Sequence, residues 1–417
     1  MSHNYILTPK RHSSFCFSYL FAALILWRCA FCTVTFVSQY SANIQILFFF
    51  MWLLFKSAED RMYIGVLLSK GKYLIAFILV IAIFDFIFAG SLSAQTRTFI
   101  LLFMAYSIML AYRKDHKNFI KTILILLLAD YCYTVFSYFR LLAIDPTYAR
   151  TFSSGNHEGI AGVGGYIFIY ATTLLFSYLI GIVGKKSTLR KLPVLLFCLC
   201  IVQFVLILRA MYYIAIITAI ACLIYALLPI TPKRKVAITV ILVVVMCLLK
   251  DPLANLILKI AHSISNDFTA DKLSEIAKYL TTDSLSGFSS TSRIGLVITS
   301  IRAFLEHPLL GVYNFEVSDL YIRGHSGIFD LISDYGIIRA TPIVIFLCSA
   351  CKEIVKSAPS FSQEAIKLSI AAFVFVGVFD PIFSSQILMV IFVVIPFLSE
   401  CIDYMRVSTP VDFSDKF

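Results

Sequence analysis

The sequence predicts an all-α polytopic membrane protein, and three observations carry that prediction. Hydrophobic residues make up 60% of the 417 and charged residues only 14%, where a soluble domain carries about 45–50% and about 25%. The mean hydropathy is +0.88. Apolar runs recur along the whole chain, many near the roughly 20 residues that a membrane helix needs. The same figures argue against a soluble enzyme, a secreted disulfide scaffold, a coiled coil and a disordered chain.

The runs lie near 14–36, 39–55, 73–90, 98–112, 119–138, 160–184, 192–208, 211–229, 236–249, 336–351, 366–379 and 386–403. They amount to about twelve spans. The first is long enough to remain as a span rather than a cleaved leader. Residues 62–68 read as a small interfacial piece. This divides the chain into a bundle over 1–249, a polar loop domain over 250–335, three last spans over 336–403 and a tail over 404–417.

Charge sets the orientation. The net charge of +11 comes from 35 Lys and Arg against 24 Asp and Glu. With the N-terminus inside, most of the basic residues fall in inside loops, such as Arg113, Lys114, Lys117 and Lys121, or Lys233, Arg234 and Lys235. Cytoplasmic loops collect Lys and Arg, so both termini are expected in the cytoplasm. No tail alternates basic and aromatic residues, and no nucleic-acid partner is expected. The short outside loops carry Arg97, Arg140, Arg150 and Arg209 and no lysine. Arginine binds phosphate oxygens bidentately; it also serves as an interfacial anchor.

The 11 cysteines lie almost entirely in apolar runs and read as small packing residues. The stretch 250–335 has none, which excludes a disulfide or a thiolate metal site there.

The long outside loop is patterned. Leu253, Leu256, Ile257, Ile260 and Ile264 share one helical face, as in a helix lying on a membrane surface. Residues 281–292 read as a linker. A helix over 293–306 follows, with Ile294, Val297, Ile298, Ile301 and Leu305 as its apolar face and Pro308 and Gly311 ending it. A short helix over 327–334 leads through Gly336 into the next span.

Nucleotide-binding loops, metalloprotease helices and nucleophile elbows are missing from the sequence. Gly155, Gly159, Gly162, Gly164 and Gly165 open a span, either for close helix packing or for approach to a phosphate. Asp85 and Asp130 fall in apolar runs and Asp380 at the end of one; intramembrane acids are functional suspects by default. A packing role competes at Asp130, beside Tyr131 and Tyr133.

The informative stretch is 291–340, with Arg293, His307-Pro308-Leu309, Gly311, His325, Ser326 and Gly336 in order. It resembles the loop of the O-antigen ligase and polymerase superfamily, with its pattern of Arg, HPLxGxG and HNxxLxxxxxxG. Residues 152–161 (FSSGNHEGIA) resemble that family's Asn-containing entry to a mid-chain span. LRAMYYIA at 208–215 resembles its Ser-Arg-Gly motif, with Arg209 in the Arg position. The chain differs at Ser326 (usually Asn), Tyr313 (usually Gly), Leu208 (usually Ser) and Ala210 (usually Gly).

The resemblance implies a GT-C-like glycosyltransferase of the bacterial inner membrane, acting on its periplasmic face. Its partners would be an undecaprenyl-diphosphate-linked oligosaccharide and the lipid bilayer, with a chain-length regulator as a candidate protein partner. The implied reaction is repeat-unit polymerisation of O-antigen or capsule. Ligation to lipid A-core is the alternative, and a lipid-linked oligosaccharide flippase lies further off. No cofactor or metal is expected, because arginine can neutralise a leaving diphosphate. Arg209 and Arg293 are the diphosphate candidates and His325 the group that handles the acceptor hydroxyl. Arg150, Asn156, His157, Arg302, Arg323 and Asp319 are candidates for binding substrate. Glu316, Asp319 and Glu306 are alternative bases, although Glu306 also stands one helical turn from Arg302.

Overall fold

The computed structural model describes residues 17–29, 42–113, 116–144, 165–184, 193–210, 212–228, 250–263, 270, 274, 277, 293–312 and 326–408. Among them the regular structure is entirely helical. The helices are α1 (Phe17–Cys29), α2 (Ala42–Glu59), α3 (Tyr63–Ala89), α4 (Ala94–Tyr112), α5 (Lys117–Ile144), α6 (Tyr166–Val183) and α7 (Pro193–Ala210). They continue with α8 (Tyr213–Leu227), α9 (Lys250–Ser263), α10 (Arg293–Glu306), α11 (Gly327–Ser357) and α12 (Gln363–Phe379). The last stretch is α13 (Ser385–Met389), a π turn over Val390–Val394, and α14 (Ile395–Ser408). Six described helices are long and apolar enough to cross a membrane: most of α3, then α4, α5, α6, α11 and the stretch Ser385–Arg406. The chain is a multi-pass helical membrane protein. Its apolar run 236–249 lies outside the described residues.

The chain forms two compact units. The first holds Met1–Thr172, Pro342–Gln363 and Phe383–Phe417; the second holds Thr173–Thr341 and Glu364–Ile382. In the first unit α1 and α2 pair, and Gln45 donates its amide to Cys29 Sγ at 3.0 Å. Trp52, fully buried, donates from Nε1 to Tyr112 Oη at 3.0 Å. Tyr131 on α5 donates to Thr172 Oγ1 at 3.4 Å, and Thr134 to the Asp130 carbonyl at 2.8 Å. Asp130 is buried on the same helix, at 4% exposed.

Asp85 has a structural explanation. Helix α3 ends at Gly90, whose φ of 66° is a left-handed turn that glycine takes at little cost. Ser93 then caps α4, accepting from Thr96 N at 3.1 Å. Asp85, 1% exposed, reaches across from α3 and accepts from Ser93 N at 2.8 Å and Thr96 Oγ1 at 2.6 Å. It satisfies donors that a helix start leaves open. Asp85→Ala is expected to cost about 1–3 kcal/mol by stranding those donors. A thermal melt of the detergent-solubilised protein checks this; an unchanged melting temperature would remove the capping role.

In the second unit α6 is the buried helix, with 78% of its apolar window covered. Small residues let neighbours approach it. A Cβ on Gly181 would stand 2.9 Å from Ala365 Cα on α12, and one on Gly184 2.7 Å from the Ala226 carbonyl in the last turn of α8. Ser369 on α12 donates to the Leu174 carbonyl at 2.8 Å. Phe176 and Phe204 stack at 5.7 Å between α6 and α7.

Two helices of the polar stretch bury small side chains and leave large apolar ones exposed. On α9 the buried residues are Ala254 and Ala261, while Leu256 and Ile260 are exposed. On α10 the buried residues include Leu296, Ser300 and Ala303; Ile301 and Leu305 are exposed. Small side chains allow close packing, and Ser300 has a buried acceptor, so the bulky apolar residues turn outward.

Candidate functional site

In the second unit the turn after α10 crosses a break in α11. Helix α10 ends at Glu306, and His307-Pro308-Leu309-Leu310 makes a turn in which Gly311 N donates to the His307 carbonyl at 2.9 Å. That turn is bonded by its backbone to the break in α11. Val312 N donates to the Ser333 carbonyl at 2.9 Å, Ile337 N to the Pro308 carbonyl at 2.8 Å and Ile338 N to the Leu309 carbonyl at 3.1 Å. Both glycines at the crossing have positive φ, 69° at Gly311 and 62° at Gly336. A Cβ on Gly311 would stand 2.5 Å from Gly336 N, and one on Gly336 2.6 Å from the Leu309 carbonyl carbon. Glycine is required at both positions for conformation and for space.

The start of α11 is fixed as firmly. Ser326 is its N-cap, accepting from Phe329 N at 3.2 Å and donating from Oγ to the Gly377 carbonyl at 3.2 Å. Gly327 N donates to the Asp380 carbonyl at 3.0 Å. A Cβ on Gly327 would stand 2.9 Å from Ile382 N, so glycine permits this contact. Asp330, one turn into the helix and 8% exposed, accepts from Ser326 N at 3.1 Å and from Ser300 Oγ on α10 at 2.7 Å. Ser and Asn serve about equally as N-caps.

Among the candidates named from sequence, Arg209 lies in the last turn of α7 and is exposed, and Arg302 is exposed on α10. No hydrogen bond or ion pair joins these two among the described residues. Arg293 is the first residue of α10. Glu306 ends that helix and is exposed, as is His307 beside it. Arg150, Asn156, His157, Glu316, Asp319, Arg323 and His325 lie outside the described residues. Asp380, 5% exposed, contributes its carbonyl to the α11 start.

The sequence pattern does not single out Asp330, Asp334 or Arg339, three buried charged residues on α11. Arg339 donates from Nε to the Tyr335 carbonyl at 3.3 Å. The one available signal for Asp330 is a Ser followed by an acid just inside a helix start, a near relative of the capping box. Groups of three or more His, Cys, Asp or Glu placed to hold a metal are absent among the described residues.

Compared with known proteins, the chain matches no family model and no curated protein.

Proposed function

We propose that this chain is a GT-C-like membrane glycosyltransferase of about twelve spans that polymerises lipid-linked oligosaccharide repeat units for O-antigen or capsule. One observation supports the reading more than any other. Pro308, Leu309 and Gly311 are held across Gly336 by backbone hydrogen bonds and close glycine contacts, while Ser326 caps the start of the same helix, α11.

In this reading both termini are cytoplasmic and the site faces the periplasm of a bacterial inner membrane. The growing glycan leaves undecaprenyl diphosphate and joins a hydroxyl of the next lipid-linked unit. The bond from the anomeric carbon to phosphate oxygen breaks, and a bond from that carbon to the acceptor oxygen forms. His325 takes or orients the hydroxyl proton, and Arg209 and Arg293 neutralise the departing diphosphate without a metal. Arg150, Asn156, His157, Arg302, Arg323 and Asp319 bind the substrates.

The test is a gel of surface polysaccharide from a deletion strain with and without the restored gene. The expected deletion product is lipid A-core capped by a single repeat, with the ladder regained on complementation. His325→Ala, Arg209→Ala and Arg293→Ala are each expected to cut chain growth about 10²–10³-fold with the protein still in the membrane. A bare core, with polymer left on undecaprenyl diphosphate, would make the protein the ligase instead. An unchanged ladder and an unchanged capsule would remove both. Full tolerance of His325→Ala would point to transport.

A further inference from the structure

Helix α10 and the turn after it run along the first part of α11. Ser300 Oγ donates to Asp330 Oδ1 at 2.7 Å near the start of α11. About two turns further along both helices, the Pro308 and Leu309 carbonyls accept from Ile337 N and Ile338 N. The chain then reverses, and Val312 N donates to the Ser333 carbonyl. This is the path of a re-entrant segment: it advances beside α11, turns at 307–310 and comes back. In an unbroken helix Ile337 N would bond the Ser333 carbonyl. Here the break at Gly336 parts them, and the turn takes both ends. Lipid tolerates non-helical backbone only where its polar groups are paired within the protein. In water the solvent would serve as well.

The level of the turn follows from α11, which is long and apolar enough to cross a membrane. Exposed Lys352 and the half-exposed Lys70–Glu353 ion pair mark one water face. At about 1.5 Å per residue, Ile338 stands about 21 Å along α11 from Lys352. The hydrocarbon core is about 30 Å thick, so Ile338 and the Leu309 bonded to it fall about 9 Å inside the opposite boundary. Tilt shortens the projection of α11 and only adds to that depth. The side chains at this level suit lipid. Leu305 is 70% exposed and Leu309 60%, and Ile301, Leu310, Ile337 and Ile338 are exposed with them. Such a patch marks a membrane or protein contact, and its continuity with the spanning helix through Ile337 and Ile338 favours the membrane. Arg302 and Glu306 are exposed too, but each stands about 100° around α10 from Ile301 and Leu305. The apolar stripe therefore meets lipid on a different side of α10 from these charges. We infer that α10 and the turn after it form a re-entrant element whose apolar face is immersed in the acyl chains of the bilayer. The inference stands on the membrane-crossing helix and not on the proposed reaction. It moves part of the stretch 250–335, read from sequence as a loop outside the membrane, into the membrane itself.

The experiment uses the full-length protein in phosphatidylcholine vesicles whose acyl chains are plain or brominated. The chain has two tryptophans, so the emission of an added one is read as variant minus parent. Leu309→Trp is expected to emit at short wavelength and to lose most of its added emission in brominated vesicles, because bromine quenches indole on contact. Ile83→Trp, exposed on the spanning helix α3, is the lipid reference. Met62→Trp, exposed between α2 and α3 beside Arg61, is the water reference. Leu305→Trp is expected to match Leu309→Trp, and it answers the same question if Leu309→Trp fails to accumulate. Long-wavelength emission that bromine leaves intact, as for Met62→Trp, would put the turn in water and overturn the inference. Short-wavelength emission that bromine leaves intact would mean that protein covers the face, and would overturn it equally. Quenching that then develops as the protein is diluted with lipid would identify the cover as a second copy of the chain. The reading is independent of polymer formation: failure of the polymerase proposal in the deletion strain leaves this inference standing, and failure here leaves that proposal to its own test.

Discussion

Replacing Gly336 with alanine is expected to keep the protein from accumulating in the membrane. At φ 62° and ψ 179° the backbone occupies a region open essentially to glycine, and a side chain there costs of order 1–3 kcal/mol before any contact is counted. The added Cβ would also run into Gly311 N and stand 2.6 Å from the Leu309 carbonyl carbon and oxygen. These neighbours are backbone atoms, so no rotamer change relieves the overlap. The three backbone hydrogen bonds that join the turn to α11 would have to separate. Together these effects exceed the roughly 4–5 kcal/mol that marks an exceptional point change. Gly311→Ala is expected to behave the same way, since its Cβ would meet the Asp334 carbonyl and Gly336 N. Gly65 is the control. It lies in α3 with nothing within 4 Å of a built Cβ, and alanine there is expected to be neutral or better by about 0.5–1 kcal/mol. The measurement is the amount of monodisperse protein extracted from equal membrane fractions. A Gly336→Ala protein at the parent's level would contradict the crossing described for Gly311 and Gly336.

The alternation of apolar runs and charged loops made most of the helices legible, because lipid accepts only segments that bond their own backbone. Helix α3 shows where such reasoning stops short. Lys70 and Lys72 flank Gly71 and break the apolar run, so residues 62–68 read as a separate piece, yet one helix runs over Tyr63–Ala89. Lys70 forms an ion pair with Glu353, and Gly71 gives Phe103 room, its absent Cβ lying 3.1 Å from the ring. Both partners are distant in sequence. The break at Gly336 was legible, since a glycine between two helical patterns is a local signal. The Ser300–Asp330 bond was not, because 30 positions separate its ends. Along α10 that bond buries Ser300 beside Leu296 and Ala303, while Ile301 and Leu305 of the apolar face stay exposed. Asp85 was visible as an intramembrane acid, but its role as a cap depended on knowing which helix start stood opposite.

Arg113 marks the same boundary in the first unit, and its removal is expected to have the second large effect. Counted along the sequence, it is one more inside-loop cation. In the structure it is 5% exposed. Its Nε donates to Glu400 Oε1 of α14 at 3.2 Å, its Nη1 to Ser357 Oγ, and its Nη2 to the Ile354 carbonyl at 3.4 Å. Burial pushes the Arg113 guanidinium below its usual pKa, and the nearby Glu400 carboxylate pulls it back up. Arg113→Ala leaves Glu400, itself 9% exposed, without this counter-ion. The expected cost is about 3–5 kcal/mol, the range for breaking a buried pair from one side. Arg113→Lys is expected to recover only part of it, because an ammonium cannot reproduce the planar fork that serves three acceptors. Arg113→Met with Glu400→Leu is expected to melt above either single variant, since a buried pair gains little over apolar residues that fill the same space. Melting temperatures of the parent, Arg113→Ala, Arg113→Lys, Arg113→Met, Glu400→Leu and the double variant in one detergent decide the matter. If the double variant instead loses the sum of the two singles, Arg113 and Glu400 act independently, and the charge pair is not what ties α4 to α14.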